Sequence, residues 1–420
     1  MKTKSLKVYL YLCTFFQFIL IWQPGYTQTQ RSHQVLSSAR NGLPNFFRKL
    51  KNHEPVTIGY LGGSITEAAG YRVQTEKYFK ETYPGSVITT INAGVGGTGS
   101  VLGAFRVGPE LLRYHPDLVF IEFAVNDSET DSLMVCNAME GIVRQIKTKN
   151  IKTDICFLYT VHKPMLNDIQ QGRTVRSVRL MERIAEYYHI PSINLSYDVL
   201  NMLNKGDLVF QAEPLKDYGT RIIFSTDGTH PGTAGHAIYT KTIIAAFESF
   251  KEKGKMSKLP APLFLGNFQK TAILQPDNFE KTSGWKIATD NKELQPYLKA
   301  YPGLIGSKDL KDSIIIKFKG TYLGIGDILG PSAAAAAVLS VDNENPVIKP
   351  RFDSYCWFYR RSFYLLGPLQ DTVHTVTIKK ADMSIDKSRL INGHASEYGS
   401  SSFESANIYI GNILLIGEPL

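Results

Sequence analysis

The sequence is poor in cysteine, with four in 420 residues and no Cys-x-x-Cys pair. This scarcity excludes a dense disulfide framework and gives no support to a cysteine-based metal knuckle. Cys13 lies in the N-terminal apolar run, which leaves Cys136, Cys156 and Cys356, an odd number. Cys136 and Cys156 fall in a predicted helix and a predicted strand, so we expect buried small hydrophobes there, with a disulfide as the alternative.

The chain also lacks a basic run interleaved with aromatic residues, although its formal net charge is +9. That absence argues against a nucleic-acid partner. A moderate positive excess is most simply a solvated surface, and the alternative is attraction to an acidic polymer such as a uronic-acid polysaccharide. With 43% hydrophobic, 20% charged and 11% aromatic residues, the composition is that of a globular protein with a core.

A membrane-spanning segment is not expected. The apolar run at residues 8–22 follows three lysines and has 15 residues, which is short of the roughly 20 that a spanning helix needs. We therefore expect residues 1–27 to be a secretory signal peptide and the protein to be secreted or periplasmic. Cys13 lies inside the apolar run and no lipobox is evident, which argues against a lipid-modified cysteine. Removal of the three lysines lowers the formal net charge from +9 to +6.

The length of the chain exceeds what one core usually serves, and a prior of about 150 residues per domain predicts two or three domains. We expect an N-terminal lead-in at 28–54, a main domain at 55–250 and an accessory domain at 263–420. The stretch KEKGKMSKLPAP at 251–262 is charged, contains proline and has few large apolar residues. It is therefore predicted to be a linker.

Short apolar runs alternate with helical patterns between residues 55 and 250. Runs of this kind, bounded by polar or turn residues, are typical of strands buried on both faces. The runs are VTIGYLGG (56–63), SVITTIN (86–92), DLVFIEFAVN (117–126), TDICFLYTV (153–161) and PSINL (191–195), and the helical patterns cover 67–83, 132–149, 174–189 and 233–251. The alternation predicts an α/β fold with a doubly wound parallel sheet, whose ligand cleft lies at the carboxyl ends of the strands.

After residue 262 the pattern changes to strands separated by glycine, proline and asparagine turns. This predicts a smaller all-β domain, a jelly-roll-like sandwich. One hypothesis is that aromatic residues of this domain stack on sugar rings. The favoured alternative is that they belong to its core or to cross-strand pairs. The candidates are Trp285, Tyr355, Trp357, Tyr359 and Tyr364.

A glycine-rich stretch, INAGVGGTGS at 91–100, contains the spacing G-x-G-x-x-G at Gly94, Gly96 and Gly99. Such glycines let backbone N–H groups approach a dinucleotide phosphate or a transient oxyanion. A dinucleotide fingerprint should follow the first strand and lead into a clean helix. Here the stretch follows the second strand, and glycines and a proline interrupt the next segment, VLGAFRVGPELL. The pattern therefore disfavours an oxidoreductase.

Three further stretches bring polar residues to the same edge of the sheet. Ser64 follows the first strand in GGSIT and Asn126 follows the third in AVND. Taken singly, the first is explained by a helix N-cap and the second by a turn asparagine. Asp227 and His230 lie three residues apart in STDGTHPG, so one turn can bring the carboxylate to Nδ1–H of the imidazole and leave Nε2 for a serine hydroxyl. A surface turn is the alternative.

The four blocks GGSIT, NAGVGGTGS, AVND and DGTHP, in this order over roughly residues 55–250, resemble those of the SGNH or GDSL-type serine hydrolases. The resemblance implies a flavodoxin-like catalytic domain without a metal or organic cofactor. It implies that Ser64 is the nucleophile, His230 the general base and acid, and Asp227 its orienting partner. It further implies an oxyanion hole formed by the N–H groups of Ser64 and Gly97 and the side-chain amide of Asn126. Gly63 replaces the family's usual aspartate, a change that we expect to affect loop packing more than chemistry.

The accessory domain resembles β-sandwich modules that accompany secreted polysaccharide-active enzymes. Together with the predicted export, this makes removal of O-acetyl groups from a polysaccharide or oligosaccharide the leading hypothesis. The alternatives are a secreted GDSL-type lipase or thioesterase, and a non-catalytic carbohydrate-binding protein. The accessory domain either binds carbohydrate or walls one side of the cleft. His162, His189 and His236 are expected to be structural.

Overall fold

The computed structural model describes residues 36–251, 258–288, 291–342, 344–391, 403 and 405–420. The predicted signal peptide, 1–27, lies outside these residues, as do residues 252–257 of the predicted linker. Among the described residues, no helix is both long enough and apolar enough to cross a membrane. Cys136, Cys156 and Cys356 are buried free thiols, so the expectation of small buried hydrophobes at Cys136 and Cys156 is confirmed.

The N-terminal half forms a six-stranded sheet in the order β1-β6-β5-β4-β2-β3. Its strands are β1 (Ser37–Ser38), β2 (Val56–Gly62), β3 (Ile88–Gly94), β4 (Leu118–Glu122), β5 (Asp154–Tyr159) and β6 (Ser192–Asn194). All pairs are parallel except that of β1 with β6. Counted from β2, the parallel strands have the flavodoxin-like order 2-1-3-4-5. The order reverses between β2 and β4, and a cleft is expected there at the carboxyl ends.

Helices cover both faces of this sheet. They are α1 (Pro44–Lys51), α2 (Ser64–Glu67), α3 (Tyr71–Thr82), α4 (Ser100–Arg106), α5 (Ser132–Lys149), α6 (Leu166–Gln170), α7 (Arg176–Tyr187), α8 (Ser196–Lys205) and α9 (Thr233–Phe247), with 3₁₀ turns at Leu112–Tyr114, Lys163–Met165 and Glu248–Phe250. A small parallel pair, β7 (Leu208–Gln211) and β8 (Ile222–Ser225), precedes α9. The four predicted helical patterns are all found, and the first of them, 67–83, corresponds to α3 (Tyr71–Thr82).

The strands are buried on both faces. Tyr60 and Phe120 pack into the core on one side of the sheet, whereas Leu61 and Ile121 pack into the core on the other side. Because successive side chains of a strand point to opposite faces, a strand between two helical layers must be apolar throughout. This burial explains the near-continuous apolar runs of the sequence.

The segment after the glycine-rich stretch is helical, which corrects the expectation of an interrupted element. Helix α4 runs from Ser100 to Arg106 and continues as a π-helical turn at Val107–Leu111. At Gly103 a Cβ atom would lie 2.7 Å from the ring of Phe123, so glycine allows α4 to pack closely on the end of β4. Packing against the sheet outweighs the poor helix propensity of this segment.

The C-terminal half is built from antiparallel sheets of eight and three strands. Side chains of both sheets, such as Ile316 and Ile410, share one core, so the predicted fold class, a parallel α/β sheet followed by a β-sandwich, is confirmed. The strands are β9 (Ala272–Leu274), β10 (Glu280–Lys281), β11 (Lys286–Ile287), β12 (Ile305–Ser307), β13 (Ser313–Leu329), β14 (Ala336–Val341), β15 (Val347–Pro350), β16 (Arg360–Leu366), β17 (Thr372–Lys380), β18 (Ile408–Ile410) and β19 (Asn412–Pro419). Helix α10 (Lys387–Leu390) and 3₁₀ turns at Pro276–Asn278 and Lys292–Tyr297 connect them.

The sandwich packs along α4 and α5. Leu102 and Phe105 of α4 share an apolar cluster with Leu414 of β19. The backbone of Phe268 lies so close to Gly141 of α5 that a Cβ atom there would lie 2.5 Å from its carbonyl carbon. The α/β half and the sandwich therefore meet through a tightly packed surface that combines apolar contacts with polar ones, such as the ion pair of Glu110 with Arg361.

Candidate active site

The predicted site residues lie at the carboxyl edge of the parallel sheet. Helix α2 begins at Ser64, two residues after the end of β2, and Asn126 lies four residues after the end of β4. The loop from β3 to α4 contains Gly97. A loop between β8 and α9 carries Asp227 and His230. Four separate connections therefore converge at the switch point of the sheet.

Ser64, His230 and Asp227 form a continuous hydrogen-bonded chain. Ser64 Oγ lies 2.7 Å from His230 Nε2, and His230 Nδ1 lies 2.6 Å from Asp227 Oδ2. An ionised Asp227 accepts from Nδ1–H, which leaves Nε2 free to accept the proton of the serine hydroxyl. The three side chains are thus arranged for proton transfer from serine to histidine.

The loop that holds Asp227 is itself tightly bonded. Asp227 Oδ1 accepts the backbone N–H groups of Thr229 and His230, each at 2.8 Å, and the hydroxyl of Ser225 at 2.9 Å. Gly228 takes a left-handed conformation, with φ of +80°, which glycine adopts at little cost. The short Asp-x-x-His spacing therefore closes a turn in which the aspartate is fixed by its own backbone.

These hydrogen bonds also set the charge of the site. Burial disfavours the ionised form of Asp227, but the bonds from the His230 ring, from the His230 and Thr229 backbone and from Ser225 outweigh it and hold the pKa of Asp227 well below its usual range. The Asp227 and His230 side chains are 53% and 50% exposed. The site is thus an open surface feature with an ionised aspartate, which large substrates can approach.

The candidate oxyanion donors lie around the turn that carries Ser64. A Cβ atom on Gly63 would lie 2.0 Å from Asn126 Oδ1, and one on Gly96 would lie 3.7 Å from Ser64 Cβ. Gly97 is exposed and left-handed, with φ of +70°, and no atom lies within 4 Å of its notional Cβ position. The structure therefore brings the Asn126 amide and the glycine loop beside Ser64.

Two acidic residues that sequence reasoning missed hold the glycine loop. Glu67 Oε2 accepts the N–H of Gly96 at 2.9 Å. Asp127, which is fully buried, accepts the N–H of Ser100 at 3.0 Å at the start of α4. Burial raises the pKa of Asp127 to about 7. Two features of the sequence could have indicated these residues: Asp127 directly follows Asn126, and Glu67 lies three residues after Ser64.

The aromatic residues of the sandwich are divided between core and surface. Trp285, Tyr359 and Tyr364 are buried, and Trp285 donates its ring N–H to the carbonyl of Ser313 at 3.0 Å. Their expected role as core residues is confirmed. Tyr355 is exposed, and Trp357 is half-buried.

The described residues contain no group of three or more histidine, cysteine or acidic side chains that could hold a metal ion. Among the histidines, His236 is buried and accepts the backbone N–H of Tyr71 at Nδ1, at 3.2 Å. Burial lowers the pKa of His236 to about 4, so its ring is neutral. The hydrogen bond and the burial agree with the expected structural role.

A known sequence family and known structures are similar to this chain in sequence and in fold. The sequence profile of the GDSL-like Lipase/Acylhydrolase family matches residues 60–238. No curated protein sequence matches the chain significantly. The fold is similar to that of a two-domain esterase (CEX) active on acetylated mannans, co-crystallized with mannopentaose, with a TM-score of 0.72, 21% identity, and coverage of 90% of this chain and 96% of that one.

A second structure of the two-domain esterase (CEX) active on acetylated mannans gives a TM-score of 0.71 and 21% identity, and covers 90% of this chain and 97% of that one. At this identity the likeness establishes the fold, which extends over both domains. Residues 60–238, which match the profile of the GDSL-like Lipase/Acylhydrolase family, include all four polar connections of the site, and the protein is a serine hydrolase of carboxylic esters.

Proposed function

We propose that this protein is a secreted esterase that removes O-acetyl groups from a polysaccharide or oligosaccharide. The observation that carries the proposal is the hydrogen-bonded chain from Ser64 through His230 to Asp227 at an open sheet edge. Export is supported by the N-terminal sequence, in which three lysines precede a short apolar run.

In the proposed mechanism, Ser64 Oγ attacks the acetyl carbon while its proton moves to His230 Nε2. The resulting oxyanion accepts hydrogen bonds from the N–H groups of Ser64 and Gly97 and from the Asn126 amide. His230 then gives the proton to the departing sugar hydroxyl, which leaves an acetyl group on Ser64. A water molecule, deprotonated by His230, releases acetate and regenerates the serine. Asp227 keeps the imidazole in the required tautomer and stabilises its positive charge.

The choice of substrate is supported by two observations. The half-exposed His230 and Asp227 side chains leave the site accessible to a polymer. The chain also shares a two-domain fold with an esterase active on acetylated mannans. An acetylated polysaccharide is therefore the substrate class that we propose, and acetylated mannan is the first member to test.

Acetate release from acetylated mannan, xylan, pectin and bacterial polysaccharides tests this proposal. The mature protein should release acetate from at least one polymer, and Ser64→Ala should release none. Ser196→Ala is the matched control, because Ser196 also begins a helix of the same domain, α8, and it should retain wild-type activity.

Hydrolysis of long-chain esters without acetate release from any polymer would favour a lipase instead. Polysaccharide binding that is unchanged in Ser64→Ala, with no acetate release by either protein, would favour a non-catalytic binding protein.

A further inference from the structure

Glu122 is a buried acidic residue that has no part in the mechanism above. It ends β4, is 0% exposed, and lies opposite Gly62 in the parallel pairing of β4 with β2. Gly62 directly precedes the Gly63–Ser64 turn. A buried carboxyl group is costly unless hydrogen bonds satisfy it, so the groups that contact Glu122 show what it does in the fold.

Three hydrogen-bond donors surround the Glu122 carboxyl group. Thr66 Oγ1 donates to Oε2 at 2.9 Å, and Thr160 Oγ1 donates to Oε1 at 2.5 Å. The backbone N–H of Gly63 also donates to this carboxyl group. Two of the three donors therefore come from residues that flank Ser64, on either side of it in the chain, and the third comes from the residue after β5.

The directions of the protons follow from these contacts. A threonine hydroxyl has one proton, and that of Thr66 is donated to Glu122. The Tyr71 hydroxyl, 2.8 Å from Thr66 Oγ1, must therefore donate to Thr66. Burial raises the pKa of Glu122, while the bonds from Thr160, Thr66 and Gly63 oppose that effect. The hydroxyls of Thr66 and Thr160 and the N–H of Gly63 therefore all direct a proton toward Glu122, which is the pattern that an acceptor-only carboxylate requires.

The turn that carries Ser64 has little freedom to compensate for a loss of these bonds. A Cβ atom on Gly62 would lie 2.2 Å from Thr66 Oγ1 and 2.7 Å from the carbonyl oxygen of Glu122. One on Gly63 would lie 2.0 Å from Asn126 Oδ1. The turn therefore packs directly on the end of β4, and a displaced Glu122 side chain would change the position of Ser64.

We propose that Glu122 is a positioning residue for the nucleophile. By accepting bonds from Gly63 N–H and Thr66 Oγ1, it fixes the Gly63–Ser64 peptide and the first turn of α2. It thereby sets the direction of the Ser64 hydroxyl and backbone N–H relative to the acyl carbon. This role rests on the proposed function, since it names the group that orients the nucleophile. It acts on the reaction geometry and leaves substrate binding largely unaffected.

Glu122→Gln tests this role, because it preserves the shape of the side chain but replaces one acceptor oxygen by a donor. We expect kcat for 4-nitrophenyl acetate to fall roughly 10- to 100-fold with KM changed by less than about twofold. The rate at which a fluorophosphonate modifies Ser64, followed by mass spectrometry, should fall by a similar factor. This second rate reports on the nucleophile whichever ester is the natural substrate.

Asp154→Asn is the matched control. Asp154 is a buried carboxyl group of the same sheet that accepts a backbone N–H, that of Phe46, at 2.8 Å. It begins β5 and so lies at the edge opposite to the site. If Glu122 only supports the fold, both variants should lower the unfolding temperature and leave the rates per folded molecule unchanged. If Glu122 positions Ser64, only Glu122→Gln should slow both reactions of the folded protein.

A second pair of variants applies if Glu122→Gln does not fold. Thr66→Val removes the hydroxyl that donates to Glu122, and Thr66→Ser keeps it. Slow acetyl transfer in Thr66→Val with rescue in Thr66→Ser would support the role, and equal rates in both would overturn it. An active wild-type protein with equally active Glu122→Gln would overturn the positioning role alone. A wild-type protein that neither hydrolyses acetyl esters nor reacts at Ser64 would overturn the proposed function as well.

Discussion

The α/β domain and the sandwich each contain a histidine whose Nδ1 lies 2.6 Å from an aspartate oxygen. In the α/β domain this is His230, with Asp227, and its Nε2 faces Ser64 Oγ. In the sandwich it is His374, with Asp342, and its Nε2 donates to the carbonyl of Gln370 at 2.8 Å. The histidine–aspartate pair is the same, and the group at the second ring nitrogen differs.

That difference decides the chemistry of each histidine. A ring whose two nitrogens both contact oxygen acceptors can donate to both only when it carries two protons, so these contacts favour the cationic form of His374. Burial works against this charge, but the bonds to Gln370 and Asp342 outweigh it and raise the pKa of His374. His230 instead faces a hydroxyl that can donate, and its side chain is half exposed, whereas that of His374 is 7% exposed. A histidine–aspartate pair is therefore a candidate base only where the second nitrogen is free to accept a proton.

The largest expected difference between the two pairs appears when each histidine is replaced by alanine in a separate variant. His230→Ala should lower kcat for an acetyl ester by about four orders of magnitude, because the base that activates Ser64 is lost. His374→Ala should leave kcat per folded molecule unchanged. Steady-state kinetics on both purified variants, with the folded fraction measured by circular dichroism, make the comparison. Near wild-type turnover by His230→Ala would contradict the assignment.

A smaller effect is expected at Asn126, a candidate oxyanion donor whose side chain lies beside the Gly63–Ser64 turn. Loss of one preformed donor to the oxyanion typically costs about 10²- to 10³-fold in kcat. Asn126→Ala should therefore lower kcat by that factor with little change in KM. Initial rates over a range of acetyl ester concentrations separate the two constants. An effect confined to KM would argue that Asn126 binds substrate without stabilising the oxyanion.

The sequence predicts the first of these pairs better than the second, for a physical reason. Asp227 and His230 are three residues apart, so a single turn determines their contact, and buried strands place Ser64 at the expected edge. Asp342 and His374 are brought together by the pairing of β14 with β17, which local spacing does not reveal. The same limit applies to Glu122, whose contacts come from Gly63 and Thr66 around the start of α2 and from Thr160 after β5.

The extent of individual elements was predicted less well, because packing overrides local signals. Glycines were expected to mark turns between the strands after residue 262, but β13 runs through Gly320 as one strand with a shift in register against β19. Glycine in a strand marks such an irregularity as often as a turn. Helix α4 is the second example, since Gly103 allows a close approach to Phe123. Both differences lie where a missing side chain makes room for a neighbouring element.

A still smaller effect concerns stability. His374→Ala removes two hydrogen bonds from a buried, charged ring, and bonds of this type typically contribute about 1.5–3 kcal/mol each before relaxation and solvent entry reduce the loss. We expect the free energy of unfolding to fall by roughly 2 kcal/mol. His230→Ala, at an exposed position, should change it by about 0.5 kcal/mol or less. Urea denaturation measures the free energy of unfolding of the two variants. Equal losses in both would mean that the two histidines contribute equally to stability.

The smallest effect is the pH dependence of that stabilisation. Because the pKa of His374 is raised above its ordinary value of 6.5 in the folded protein, its contribution is fully present below pH 6.5 and is lost as the pH rises through the folded-state pKa. The difference in unfolding free energy between wild type and His374→Gln should therefore shrink as the pH rises above about 6.5. Asp342→Asn should show the same trend, since it removes the partner of the charged ring. A difference that stays constant or grows with pH would mean that His374 is neutral in the folded protein, and that the two histidines differ in burial but not in charge.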